Sequence, residues 1–186
     1  NPVEQTTPEP TPIWYIAKLE KQLNRHAKAF VQGIPMAVGM AIAEKKLAAR
    51  FNKPGYEIVN HHTIVFAGDG SLMEGVTSEA SSLAGTLKLN KLIVLYDSNN
   101  ITIEGSTDIA FTENVIARYK SYGWNTMEVE DGENPDAIMA AISLAKTSTS
   151  RPTFIKINTF IFLNNYYFID IKAFIAENIA TIINAI

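Results

Sequence analysis

The chain has 186 residues, with 16 basic and 19 acidic side chains, a formal net charge of -3 and no cysteine. That length suits one α/β domain with a sizeable core and is short for two. The mixed charge argues against nucleic acid or an anionic membrane as the main partner. Without cysteine there are no disulfides, no thiolate nucleophile and no sulfur ligands for zinc.

Residues 1–12, NPVEQTTPEPTP, hold four of the eight prolines and are expected to be an extended arm, since proline lacks the amide hydrogen and restrains its predecessor. This start resembles neither a secretory signal nor a transit helix, so a cytoplasmic location is expected. From Ile13 to Phe30 the apolar residues Ile16, Leu19, Leu23, Ala27 and Phe30 recur at helical steps between lysines and arginine. That spacing predicts an amphipathic helix.

Gln32-Gly33-Ile34-Pro35 opens a second helix, with proline in its first turn. Met36, Met40, Ala43 and Leu47 form one stripe, expected to fill the core, small residues Ala37, Gly39, Ala41 and Ala48 permit close packing against a sheet, and Lys45, Lys46 and Arg50 lie late, where positive charge suits a helix carboxyl end. Asn52-Lys53-Pro54-Gly55 stops it.

Two β-branched and aliphatic runs follow, Thr63 to Ala67 and Leu92 to Tyr96, joined by a predicted helix from about Glu74 to Leu87. Val76, Ala80, Leu83, Ala84 and Leu87 share a face, and Gly75 and Gly85, which cost helix propensity, suggest close backbone approach. Each run ends at an oxygen-rich turn, Gly68-Asp69-Gly70 and Asp97-Ser98-Asn99-Asn100. If the strands are parallel, both turns lie at strand carboxyl ends, the edge at which open α/β sheets bind ligands. Further on, the pattern predicts a helix around Glu113 to Tyr122, a strand at Asn125 to Val129, a helix opened by Asn134-Pro135, and a strand at Thr153 to Ile157. The fold class is therefore α/β, a three-layer Rossmann-like, mostly parallel sheet with helices on both faces. The last residues are rich in isoleucine, phenylalanine and asparagine. Asn164, Asn165, Asp170, Lys172 and Glu177 interrupt them too often for a membrane span.

Glycines at 68 and 70 leave room for backbone amides to approach a ligand beside a helix start. Asp69 would repel an anion unless a cation lay between them. Asn99 and a following carbonyl, such as that of Ile101, add oxygens of the kind Mg2+ or Ca2+ takes, so the inferred ligand is a diphosphate held through a divalent ion. The plainer alternative is that Asp, Asn and Gly simply make turns. A dinucleotide fingerprint is disfavoured because the loop reads G-D-G-S-L-M and lacks the third glycine. Glu74 either stabilises the helix start or acts at an interface. His26, His61 and His62 read as structural, the latter two on the end opposite the candidate site.

The stretch GDGSLMEGVTSEASSLAGTLKLNKLIVLYDSNNITIEG closely resembles the diphosphate-binding segment of transketolases, fungal enzymes in particular. The resemblance runs from near Gln32 to about Thr159, and the step from Asp69 to Asn99 matches the thiamine diphosphate motif of the family. It implies three segments: an atypical arm and helix over 1–31, a diphosphate-binding domain over 32–159 and an atypical tail over 160–186. It also implies that Asp69, Asn99 and the main-chain oxygen of Ile101 hold Mg2+ or Ca2+, that Gly70 approaches the diphosphate, and that Glu74 lies at a subunit interface and helps connect the paired sites; with Gly68 from the loop reading, these residues are expected to bind the cofactor.

The activity implied is transfer of a two-carbon ketol unit from a ketose phosphate to an aldose phosphate. The expected partners are sugar phosphates and, as a homodimer or with a transketolase-like chain, a pyrimidine-binding domain bearing the activating glutamate. The sequence departs from the family at Lys28 to Gly33, KAFVQG, where a GPLGQG loop is usual, and after Asn158. No pyrimidine or carboxyl-terminal domain is recognisable, so this chain alone is expected to be inactive. The alternatives are a noncatalytic partner of transketolase and a degenerate fragment.

Overall fold

The computed structural model describes residues 33–102 and 105–159. The predicted arm, the helix from Ile13 to Phe30, Gln32 and the tail lie outside the described residues. The elements run α1 (Gly33–Phe51), β1 (Thr63–Gly68), α2 (Asp69–Leu72), α3 (Gly75–Thr86), β2 (Leu92–Ser98), β3 (Ile101–Thr102), β4 (Gly105–Ser106), a 3-10 turn (Thr107–Ile109), α4 (Val115–Ser121), β5 (Asn125–Val129), α5 (Pro135–Lys146) and β6 (Thr153–Asn158).

Four strands pair in parallel in the order β1-β2-β6-β5. Parallel neighbours need crossovers, and the helices between the strands provide them. β2 and β6 occupy the middle, and side-chain alternation sends their residues into two cores. Leu92, Val94, Tyr96 and Phe154 join Ile34, Ala37, Val38, Ala84, Tyr119 and Trp124 beneath α1, α3 and α4. Ile93, Leu95, Ile155 and Ile157 join Val129, Ile138, Ile142 and Ala145 beneath α5. This arrangement is the expected three-layer α/β fold.

The helices begin and stop where local chemistry directs. Asn134 caps α5 by accepting from Ala137 N, with Pro135 next in line, and Asn114 caps α4 by accepting from Ala117 N. α3 ends with Lys88 at φ 52, and the N–H groups of Leu89 and Lys88 donate back to the carbonyls of Ala84 and Gly85. That is a Schellman closure with lysine in the left-handed position.

The expectation that the Met36 stripe fills the core is corrected, while Ala37 and Ala41 do pack inward. On α1 the core receives Ile34, Ala37, Val38 and Ala41, while Met36, Met40, Ala43 and Leu47 are exposed. On α3 it receives Thr77, Ser81 and Ala84, while Val76, Leu83 and Leu87 are exposed. On α3 the reason is close approach. A Cβ on Gly85 would stand 1.8 Å from the Tyr122 carbonyl oxygen, and Trp124 Nε1 donates to Ser81 O at 2.8 Å, so small side chains face inward.

The late lysines of α1 do not all serve their own helix. Lys45 Nζ donates to the carbonyls of Leu87 and Lys88, at 2.7 and 3.1 Å, capping α3 instead. Glu44, buried on α1, pairs with Lys91 at 2.6 Å just before β2.

Candidate ligand site at the carboxyl edge of β1 and β2

The register between β1 and β2 places Gly68 opposite Asp97, so the two oxygen-rich turns leave the sheet side by side. β1 passes directly into α2, whose first residue is Asp69. Gly68 is extended, at φ -105 and ψ 179, so the backbone does not require glycine there. A Cβ on Gly68 or Gly70 would meet nothing within 4 Å. Among the described residues nothing fills the space in front of either glycine.

Asp69 is 3% exposed and heavily hydrogen-bonded. Tyr96 Oη donates to its Oδ1, and the N–H groups of Asn99 and Asn100 donate to its Oδ2 at 3.2 and 3.1 Å. Asn100 makes this possible by adopting φ 59, a conformation that asparagine tolerates better than most residues. The left-handed residue lets two successive amides face one carboxylate oxygen. Burial, then the bond to Asp69, pushes the Tyr96 phenol well above its ordinary range, so it stays a neutral donor.

A carboxylate offers about four lone-pair positions. The three donors leave one, on Oδ1. No Lys, Arg or His among the described residues forms an ion pair with Asp69. A buried anion balanced only by neutral donors is a favourable place for a cation.

Asn99 lies beside it. Its Oδ1 accepts from Ile101 N at 3.0 Å and its Nδ2 donates to Asp97 Oδ2 at 3.3 Å. Ile101 sits in β3 opposite Ser106 of β4, and Thr107 N donates to Asn100 O at 3.0 Å, so the turn is closed by its own short hairpin. The structure therefore brings Gly68, Asp69, Gly70, Asn99 and Ile101 to one corner. Glu74 stands at the amino end of α3, partly buried, and makes no side-chain cap hydrogen bond.

His61 and His62 precede the amino end of β1, where Thr63 N pairs with Lys91 O. Burial, then Lys146 and Lys91, lowers the pKa of His62. Among the described residues no group of three or more His, Cys, Asp and Glu side chains is placed to hold a metal, and no helix is long and apolar enough to cross a membrane.

Sequence reasoning missed several supporting residues. Arg118 reaches from α4 to Leu72 O at 3.0 Å and Ser78 Oγ at 3.2 Å, with its Nε 2.9 Å from Glu113, and so ties the end of α2 to α3. In the sequence Tyr96, Asn100 and Thr159 read as strand, turn and boundary. Nothing in their spacing signals a bond to an aspartate far away in the chain.

The carboxyl edge of this parallel sheet, which carries a buried aspartate, an asparagine and open backbone before two glycines, is the edge at which α/β domains of this kind take ligands. A family model described as the transketolase thiamine diphosphate binding domain matches residues 22–167, and the chain belongs to that family. It is 56% identical over 128 residues to the transketolase of Geobacillus stearothermophilus, covering 69% of this chain and 19% of that protein. Transketolase 7 of Craterostigma plantagineum is 57% identical over 129 residues, and the transketolase of Scheffersomyces stipitis is 55% identical over 129. A bacterium, a plant and a yeast match equally well, so the likeness carries no fungal-specific signal.

Among solved structures, transketolase from Leishmania mexicana superposes with a TM-score of 0.68 at 51% identity, over 69% of this chain and 19% of that one. The Campylobacter jejuni enzyme gives a TM-score of 0.64 at 41% identity, covering 69% of this chain and 20% of that one. The chain thus spans about a fifth of the length of the relatives it matches.

Proposed function

We propose that residues 32–159 form the diphosphate-binding wall of a transketolase-type site, in which a divalent cation bridges the protein to thiamine diphosphate. In a complete enzyme the site serves transfer of a two-carbon ketol unit from a ketose phosphate to an aldose phosphate. The observation that carries this reading is the buried Asp69, held by three neutral donors with an acceptor position left over, beside open space at Gly68 and Gly70.

In this reading Asp69 Oδ1, Asn99 Oδ1 and the main-chain oxygen of Ile101 hold Mg2+ or, alternatively, Ca2+. Gly68 and Gly70 admit the diphosphate close to the backbone. Glu74 lies at a boundary with the domain that completes the site, either in a homodimer or in an assembly with a transketolase-like chain. When bound, thiamine diphosphate supplies the electron sink for cleavage beside the ketose carbonyl. The protein's part is to fix the diphosphate and exclude alternative poses, through Asp69 oriented by Tyr96 and the Asn99–Asn100 amides.

Calorimetric titration of the full chain with thiamine diphosphate, with and without Mg2+, tests the proposal. Binding that requires Mg2+ and disappears in Asp69→Ala, with the fold retained by circular dichroism, is expected. Binding indifferent to both would sink it.

A second reading, a noncatalytic partner of transketolase, draws on the apolar side chains that α1 and α3 expose, among them Met36, Leu47, Val76 and Leu83. It predicts self-association or capture of a full-length enzyme. A monodisperse monomer by light scattering that captures none would remove it.

A further inference from the structure

The amide of Asn99 is constrained from both ends. Its Nδ2 faces Asp97 Oδ2 at 3.3 Å, and its Oδ1 faces Ile101 N–H at 3.0 Å. A carboxylate only accepts and a backbone N–H only donates, so the two neighbours demand the same one of the two possible amide orientations. Asp97 is itself held: Thr159 Oγ1 donates to its Oδ1, and Thr159 N donates to Ser98 O at 3.1 Å, fixing the threonine against the end of β2. A chain of contacts thus runs from the end of β6 through Thr159 and Asp97 to Asn99. Ile101, the other proposed oxygen donor, is joined to Asn99 by its N–H.

We propose that Asp97 is a positioning residue: its carboxylate fixes the Asn99 amide with oxygen, not nitrogen, available to the cation, and Thr159 in turn fixes Asp97. The inference rests on the reading of Asn99 as a cation ligand. An Asn99 amide turned over would present two N–H donors to a positive ion and would also leave Ile101 N–H facing a donor. Groups that orient a ligand in this way matter because they leave the oxygen aligned before the metal arrives.

The test is the Mg2+ dependence of thiamine diphosphate binding to the full chain, read by calorimetry. Asp97→Asn keeps the shape but replaces an acceptor-only group with an amide that can face Asn99 either way. It is expected to raise the Mg2+ concentration needed for half-maximal binding by on the order of ten-fold. Thr159→Val should shift it less, in the same direction, and should add nothing to Asp97→Asn, because both act through one carboxylate.

The discriminating variant is the exchange Asp97→Asn with Asn99→Asp. A carboxylate at position 99 offers oxygen in either orientation while the amide introduced at position 97 donates to it, so the exchange should recover affinity that Asp97→Asn loses. A residue that served only packing would give no such recovery. An unchanged Mg2+ requirement in Asp97→Asn and Thr159→Val, with binding still abolished by Asp69→Ala, would overturn the inference and leave the proposed site standing. Wild-type binding indifferent to Mg2+ would overturn both. If Asp97→Asn fails to fold, the shift in Thr159→Val decides.

Discussion

The carboxyl edge of the sheet has two halves built from similar residue types, and only one is open. At the ends of β1 and β2, hydrogen bonds converge on Asp69, and no described residue fills the space before Gly68 and Gly70. At the ends of β5 and β6 the same edge closes on itself. Lys156 pairs with Glu128 at 2.6 Å, Asn158 Nδ2 donates to Glu128 and Glu130, and Gly132 N donates to Asn158 O at 2.9 Å. A strand end is therefore not a site by position alone. What separates the halves is whether local groups satisfy one another or converge with acceptor capacity to spare.

Glycine substitution sharpens the contrast most. A Cβ at Gly132 would lie 2.6 Å from Asn158 O and from Thr159 Cγ2. Backbone cannot yield there cheaply, so Gly132→Ala is expected to lose on the order of 2–3 kcal/mol in urea denaturation. Gly70→Ala meets no atom and replaces glycine in the short helix α2, so it should leave stability unchanged or raise it by up to about 1 kcal/mol. It should nonetheless weaken metal-dependent diphosphate binding. Equal stability losses at both positions would erase the distinction between the filled and open halves.

Next in size is Tyr96→Phe, which removes one donor from Asp69 with little change in shape. A hydrogen bond to a charged group is worth about 1.5–3 kcal/mol, and a loss near the lower end is expected because Asn99 and Asn100 still hold the other oxygen. The phenol's raised pKa adds a signature. The folded state disfavours the phenolate, so stability is full below pH 10 and declines above it as unfolded tyrosine ionises. Chemical denaturation across alkaline pH should show that decline diminished in the variant, and an identical decline would mean that Tyr96 is not its source.

Much of this contrast was legible in advance, because parallel strands covered on both faces read as unbroken apolar runs, as Leu92 to Tyr96 does, and because Asn134-Pro135 marks a helix start by local chemistry alone. The two turns were recognisable from their oxygens, and the sheet made them neighbours. The inward faces of α1 and α3 were legible only in part: Ala37 and Ala41 read as close-packing residues and are buried, and Gly85 read as a point of close backbone approach, which it is. Each helix has two apolar sides, and choosing the larger residues, Met36 and Leu47 or Val76 and Leu83, picks the wrong one. On α3 the backbone carbonyl of Tyr122 against Gly85 requires small residues inside, and that contact joins positions distant in sequence. The donors to Asp69 were hidden for the same reason. Tyr96 reads as one more buried strand residue until β1 and β2 are in register.

The smallest expected effect lies on the closed half, at Lys156 and Glu128. The hydrogen bond from Lys156 holds the Glu128 pKa below its ordinary 4.5. For a carboxylate with a lowered folded pKa, the contribution to stability is present above the unfolded value and is lost as pH falls through the folded one. Both side chains are solvent-accessible, so screening limits the pair to less than about 1 kcal/mol. Lys156→Met should therefore destabilise slightly at pH 7, less in high salt, and not at all once Glu128 is protonated in both states. The variant should leave Mg2+-dependent binding at the open half untouched. A large change in that binding would show that the halves are coupled through β6, the strand that also delivers Thr159 to Asp97.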